Sequence, residues 1–166
     1  MAELAPSAWP QGRQEGRKAF VETVVRSVEM AAEQGVNDLC WMDADFEDWP
    51  LGERRMQAAL HAWSRKGRSM VLMARRFDKL MQRHHRFVNW RQQWAHIVEC
   101  WQCPKADLTD YPSAILMPQW CMRRVDVARF VCVSSSECST VLALQELRQH
   151  WLEQSGKGFP ASVLGL

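Results

Sequence analysis

Residues 70–103 read MVLMARRFDKLMQRHHRFVNWRQQWAHIVECWQC, and the alternation of apolar runs with helical periodicity in this stretch sets the fold. Its ends, 70–74 and 97–101, are short continuous apolar runs of the kind that form strands covered on both faces. Between them, placed at helical angles, Phe77, Leu80, Met81, Phe87, Val88, Trp94 and Ala95 fall on one side. Asp78, Gln82, Arg86, Asn89, Gln92 and Gln93 fall on the other, so one long amphipathic helix is expected. The centre of its apolar side is taken by His84 and Arg91. Ionisable groups at core positions are costly unless partnered, so this pair either meets buried carboxylates or lines a polar pocket.

Working outward, Phe20, Val24, Val25, Val28, Ala31 and Ala32 repeat at three- and four-residue spacing within 13–34, a helix stopped by Gly35. Leu39, Cys40, Trp41 and Met42 form a buried strand that ends in acids. Asp48 before Trp49 and Pro50 reads as the N-cap of a second helix, with Met56, Ala59, Leu60 and Trp63 as its stripe. Strand, helix, strand, helix, strand implies parallel strands joined by right-handed crossovers. Beyond Pro104 the rhythm changes. Residues 114–117 and 122–125 suit a hairpin, 130–133 is a further strand, and Val141, Leu144, Leu147 and Trp151 mark a last helix.

The expected fold is therefore a three-layer α/β domain, with a mixed, mostly parallel sheet and helices on both faces. Its expected limits are a flexible leader at 1–12, one domain over 13–156, and an apolar tail at 157–166 that docks on the domain or on a partner. The 166 residues suffice for a single core without disulfides or metal. Nine Trp and nine Met raise the hydrophobic share to 47%, while a mean hydropathy of -0.34 reflects charges in every segment. No apolar run reaches membrane-spanning length and no secretory pattern opens the chain, so a cytoplasmic location without membrane contact is expected. Six cysteines, mostly inside apolar runs, read as buried thiols in a reducing compartment. A net charge of +2 is too small to imply nucleic-acid binding by bulk electrostatics.

In open sheets ligands gather beyond the carboxyl ends of parallel strands. Those ends carry Asp43 and Asp45, then Arg75 and Arg76, then Cys100 and Cys103. One reading is a structural network in which Asp43, Asp45 or Glu53 neutralises Arg75, His84 or Arg91. The other is an anion or phosphate pocket built from Arg75, His84, Arg86 and Arg91. An enzymatic variant of it would use Asp45, Arg75, His84 and His96. A single C-x-x-C, Cys100 to Cys103, lacks the second pair a zinc site needs and runs into Pro104 instead of a helix, so no metal or cofactor is implied. Walker, G-x-G-x-x-G and G-x-S-x-G patterns are missing from the sequence. The basic run from Arg75 to Arg86, with Trp90 for stacking, is the feature that would serve a nucleic-acid-binding module.

Several motifs together carry a resemblance. Residues 43–46 (Asp-Ala-Asp-Phe), 49–53 (Trp-Pro-Leu-Gly-Glu), Arg76-Phe77-Asp78, His84, Arg86-Phe87-Val88, Trp90-Arg91, Trp94, His96, and the endings 159–161 and 164–166 look like an uncharacterised proteobacterial domain family. Its members occur alone or behind an acetyltransferase domain. That family in turn resembles one half of the phospholipase D fold, whose active members carry His-x-Lys followed by Asp. No His-x-Lys occurs here, and 113–117 reads Ser-Ala-Ile-Leu-Met where the motif would fall. The resemblance thus implies a catalytically degenerate half and no phosphodiesterase activity. It implies a binding or regulatory role toward an anionic or phosphorylated ligand, with a second copy or an acetyltransferase domain as partner. Proline in the family where this chain has His85 also implies a helix break with His84 at the joint.

Overall fold

The computed structural model describes residues 8–160, and its elements follow the periodicities above with instructive shifts. Helix α1 (Arg17–Gln34) buries Phe20, Val24, Val28 and Ala31 along one stripe and ends at Gly35, whose left-handed backbone (φ 69) only glycine adopts freely. It begins four residues later than periodicity suggests. Gly16, at φ 93, ends an extended segment, and β1 (Gly12–Gln14) pairs with a later strand. Trp9 stacks on Trp120 at 5.2 Å, and the Trp120 indole N–H donates to Pro10 O. Residues 9–14 of the expected leader and first helix are thus tied to the sheet edge.

Strand β2 (Asp38–Met42) alternates strictly: Leu39 and Trp41 enter one hydrophobic core, Cys40 and Met42 the other. Helix α2 (Arg54–Trp63) starts at Glu53 and not at Asp48, because the Asp48 carboxylate accepts from Arg124 instead of capping. Strand β3 (Ser69–Ala74) follows. The expected single long helix is two, α3 (Asp78–Arg83) and α4 (His85–Gln93), with His84 at φ -121, ψ 60 between them. Then come β4 (Val98–Gln102), β5 (Ala114–Met117), β6 (Trp120–Asp126), β7 (Val131–Ser135), helix α5 (Cys138–Glu153) and the two-residue β8 (Gly156–Lys157). Pro118 and Gln119 alone form the β5–β6 turn, two residues fewer than the sequence spacing suggests.

The eight strands among the described residues join one sheet in the order β1-β7-β6-β5-β2-β3-β4-β8. The three layers expected are present, yet the sheet is mostly antiparallel and not mostly parallel. Only β2–β3 and β3–β4 are parallel pairs, while β1–β7, β7–β6, β6–β5, β5–β2 and β4–β8 run antiparallel. The crossover helices account for the two parallel pairs. Short turns and edge additions, which need no crossover, account for the rest.

The two faces are unequally covered. One carries α1, α2, α3 and α4 over a core rich in large rings, including Phe20, Trp41, Trp49, Trp63 and Phe87. Among the described residues the other carries α5 as its one helix, over smaller groups that include Cys40, Met42, Met73, Ala114 and Cys121. No described helix is long and apolar enough to cross a membrane. Phe159, just past β8, is buried against Phe77 within the first core. Residues 161–166 of the expected tail lie outside the described residues.

Candidate functional site

Asp43 follows β2 at the carboxyl edge and is 5% exposed. Its Oδ2 accepts the backbone N–H groups of Asp45 (3.1 Å) and Phe46 (2.8 Å), which folds the chain back into a tight turn. Burial holds its carboxyl above the ordinary range, against the pull of the Ser113 hydroxyl, those two N–H groups and the Arg124 charge.

Arg124 comes from β6, where a register shift between Arg124 and Asp126 bends the strand. Its guanidinium lies between the rings of Phe20 and Phe130, 4.6 and 4.7 Å from their centroids. One terminal nitrogen donates to Asp48 Oδ2 (3.2 Å) and Val127 O (2.9 Å), and the other faces Asp43 Oδ1 at 3.7 Å. This is a buried ion pair inside an aromatic clamp. The sequence reading missed Arg124, although the signal was there: in β6, Trp120, Met122 and Arg124 share the inward register.

His84 and Arg91 are buried, as their place on the apolar side requires, at 9% and 6% exposure. Neither pairs with an acid among the described residues. His84 Nε2 donates to Phe46 O (3.0 Å), so that nitrogen carries the proton and Nδ1 faces Gly52. The Arg91 Nη2 donates to Phe159 O (3.4 Å), with the guanidinium 5.7 Å from the Phe159 ring centroid. Its Nε and Nη1 have no hydrogen-bond partner among the described residues. Phe46 (φ 59) and Phe159 (φ 48) both hold left-handed backbones, an uncommon state for a bulky residue, and both present their carbonyls inward from it. Carbonyls of strained turns therefore do the work expected of carboxylates.

The other candidates scatter. Arg75 Nε donates to Ala106 O at 2.6 Å. Arg86 is exposed and donates to Gly52 O, and His96 is exposed beside the Trp94 ring. Glu53 is exposed and makes no ion pair among the described residues. Asp45 lies 3.4 Å from Lys79, while Glu47, not singled out from sequence, holds both Lys79 (2.9 Å) and Arg83 (3.0 Å). Among the described residues the expected neutralisation of Arg75, His84 or Arg91 by Asp43, Asp45 or Glu53 does not occur, because all three side chains bond to backbone oxygens instead. Cys100 and Cys103 face opposite cores, which parts the C-x-x-C pair.

The open space lies elsewhere. Under α5, on the sparsely covered face, a cavity of about 460 Å³ is lined by Asp38, Cys40, Val71, Glu99, Leu116 and Arg148, among others. It sits nearer the amino ends of the parallel strands than the carboxyl edge.

No known family matches the sequence, and no curated protein does. Among solved structures, the chain is similar to that of TrmBL2, an archaeal chromatin protein described as showing a novel mode of DNA binding. The superposition gives a TM-score of 0.58 at 14% identity, covering 88% of this chain and 53% of that one. The chain therefore shares an α/β fold with part of TrmBL2, whose length it spans by about half.

Proposed function

We propose that this chain is a non-catalytic binding or regulatory domain, built on a degenerate phospholipase D-like half, that recognises a small ligand bearing negative charge. The observation that carries the reading is the fate of the carboxyl edge. Asp43, Arg75, His84 and Arg91 each bond to a different backbone group, which draws them into separate structural contacts. The element order from β2 to α5, strand-helix-strand, a broken helix, a strand, and then three strands and a helix, supports the half-domain reading. Space for a ligand is found instead under α5, with Arg148 at its wall.

The test is a thermal-shift screen of the full chain against carboxylates, amino acids and phosphorylated metabolites, with product formation followed in parallel. A ligand at about 100 times its Kd should stabilise the fold by about 2.7 kcal/mol while remaining unchanged. Steady turnover of a phosphodiester that disappears in a His84→Ala variant would overturn the reading, as would a screen with no stabilising ligand.

Nucleic-acid binding is the second reading, favoured by the DNA binding ascribed to TrmBL2. Against it, Lys79 and Arg83 of the basic run are tied to Glu47, which leaves Arg76, His85 and Arg86 exposed for phosphates. Such binding would fall steeply between roughly 50 and 200 mM salt. A flat salt response removes it.

A further inference from the structure

Four strands and α5 line the cavity on the sparsely covered face. Register places Leu116, Cys40, Val71 and Glu99 in one row across β5, β2, β3 and β4, all on that face. Leu116, Cys40 and Val71 make an apolar floor, with Trp101 one step further along β4. Arg148 reaches down from α5 beside the Cys40 thiol. Among the described residues it makes no ion pair, whereas Arg55 and Arg124 each bind carboxylates. Burial pushes the Cys40 thiol up to about 12, so no thiolate offsets the guanidinium at neutral pH. At the far end of the row Glu99 is exposed, and Asp38 lies at the start of β2; neither has a salt bridge among the described residues.

The cavity thus has a cation on α5, an apolar floor and two acids on its wall, neither paired with Arg148 among the described residues. Strand spacing puts Glu99 two strands, roughly 10 Å, across the sheet from Cys40. An anion alone would satisfy Arg148 but face Asp38 and Glu99. A cation alone would meet the reverse problem. We infer that the cavity under α5 binds a small apolar zwitterion, an apolar amino acid or short apolar dipeptide. Its carboxylate lies on Arg148, its ammonium toward Glu99 or Asp38, and its side chain on Val71, Leu116 and Trp101. The volume of about 460 Å³ lies within the range of small-molecule sites. Arg148 supplies a charge-assisted, two-point contact for a carboxylate. This inference rests on the ligand-binding reading above and adds the class of ligand.

The experiment titrates the full chain with leucine, phenylalanine and Leu-Leu, with 4-methylpentanoate (no amine) and isoamylamine (no carboxylate) as truncated probes. Binding is followed by calorimetry and by the fluorescence and amide shifts of Trp101 and Val71. The zwitterions should saturate and both truncated probes should bind at least tenfold more weakly. Arg148→Gln should raise the zwitterion Kd tenfold or more, Arg148→Lys should recover part of the loss, Glu99→Gln should cost severalfold, and Arg54→Gln on exposed α2 should change nothing. Unchanged melting temperatures of the free variants separate loss of binding from loss of fold. Saturation by 4-methylpentanoate as tight as by leucine overturns the zwitterion assignment, and so does an Arg148→Gln variant that binds leucine normally. If none of these probes binds while phosphorylated or other anions stabilise the chain, this inference fails and the ligand-binding reading stands. If nothing in either experiment binds, both fail.

Discussion

The two faces of the sheet treat the same strand residues differently. In β2, Trp41 enters a core closed by four helices, and its neighbour Cys40 enters one covered by a single helix. On the closed face even the costly groups are absorbed: His84 and Arg91 find carbonyls, and Arg124 is clamped between two phenylalanine rings. On the open face small thiols and methionines leave a cavity, and Arg148 stays without an acid among the described residues. One helix cannot cover an eight-stranded sheet, and Val125 on β6 and Val133 on β7 remain exposed beside it. The large-ring core lies on the closed face, and the cavity beneath α5 on the other.

The sharpest way to break this contrast is to truncate the two neighbours. Trp41→Ala should cost about 3–5 kcal/mol in urea unfolding, since the closed core cannot collapse onto the void. Cys40→Ala, beside an existing cavity, should cost about 1 kcal/mol or less. Equal losses would erase the distinction between faces. Next in size, Arg124→Met should destabilise by about 3 kcal/mol, because it strands Asp43 in the interior. Arg91→Met should fall within about 1 kcal/mol of neutral, since Arg91 has one long hydrogen bond and two unpartnered nitrogens to lose. A large loss for Arg91→Met would mean that its ring contact with Phe159 matters more than its geometry suggests.

Titration gives a subtler separation. The Asp43 carboxyl is raised by burial, so its contribution to stability is full below its unfolded value near 3.8 and is lost as pH rises through the raised folded value. Asp43→Asn should therefore gain on the wild type as pH climbs from 4 toward 8 in urea titrations. Glu29 behaves oppositely. The side-chain hydrogen bond from Arg55 lowers its pKa, so stability is present above about 4.5 and lost as pH falls through the lower value, and Glu29→Gln should fall behind the wild type as pH rises. The smallest effect expected is Arg55→Ala, at about 0.5–1 kcal/mol, because the Glu22–Arg55–Glu29 bridge between α1 and α2 lies in solvent for much of its surface.

Much of this was legible because it is local. Alternation in β2, the stripe of α1 and the crossover rhythm through β4 depend on residues a few positions apart, and the inward placement of His84 and Arg91 follows from helical angles alone. The break at His84 was legible only through a resemblance, since the apolar stripe continues across it. Arg124 was hidden in plain alternation, because the hairpin containing it was read for its turn and not for its inward register.

The amino-acid sequence by itself determined the α/β class, the three parallel strands, and the burial of two ionisable side chains, His84 and Arg91, on the central helical segment. These are consequences of periodicity and of the cost of exposing apolar surface, which act over one or two turns of chain. Only the tertiary structure decided that β1 and β8 complete an antiparallel majority, that the buried His84 and Arg91 bind the carbonyls of Phe46 and Phe159, and that open space lies beneath α5. Those partners stand 38 and 68 residues away along the chain, and which oxygen a distant turn turns inward is set by packing and not by any local pattern.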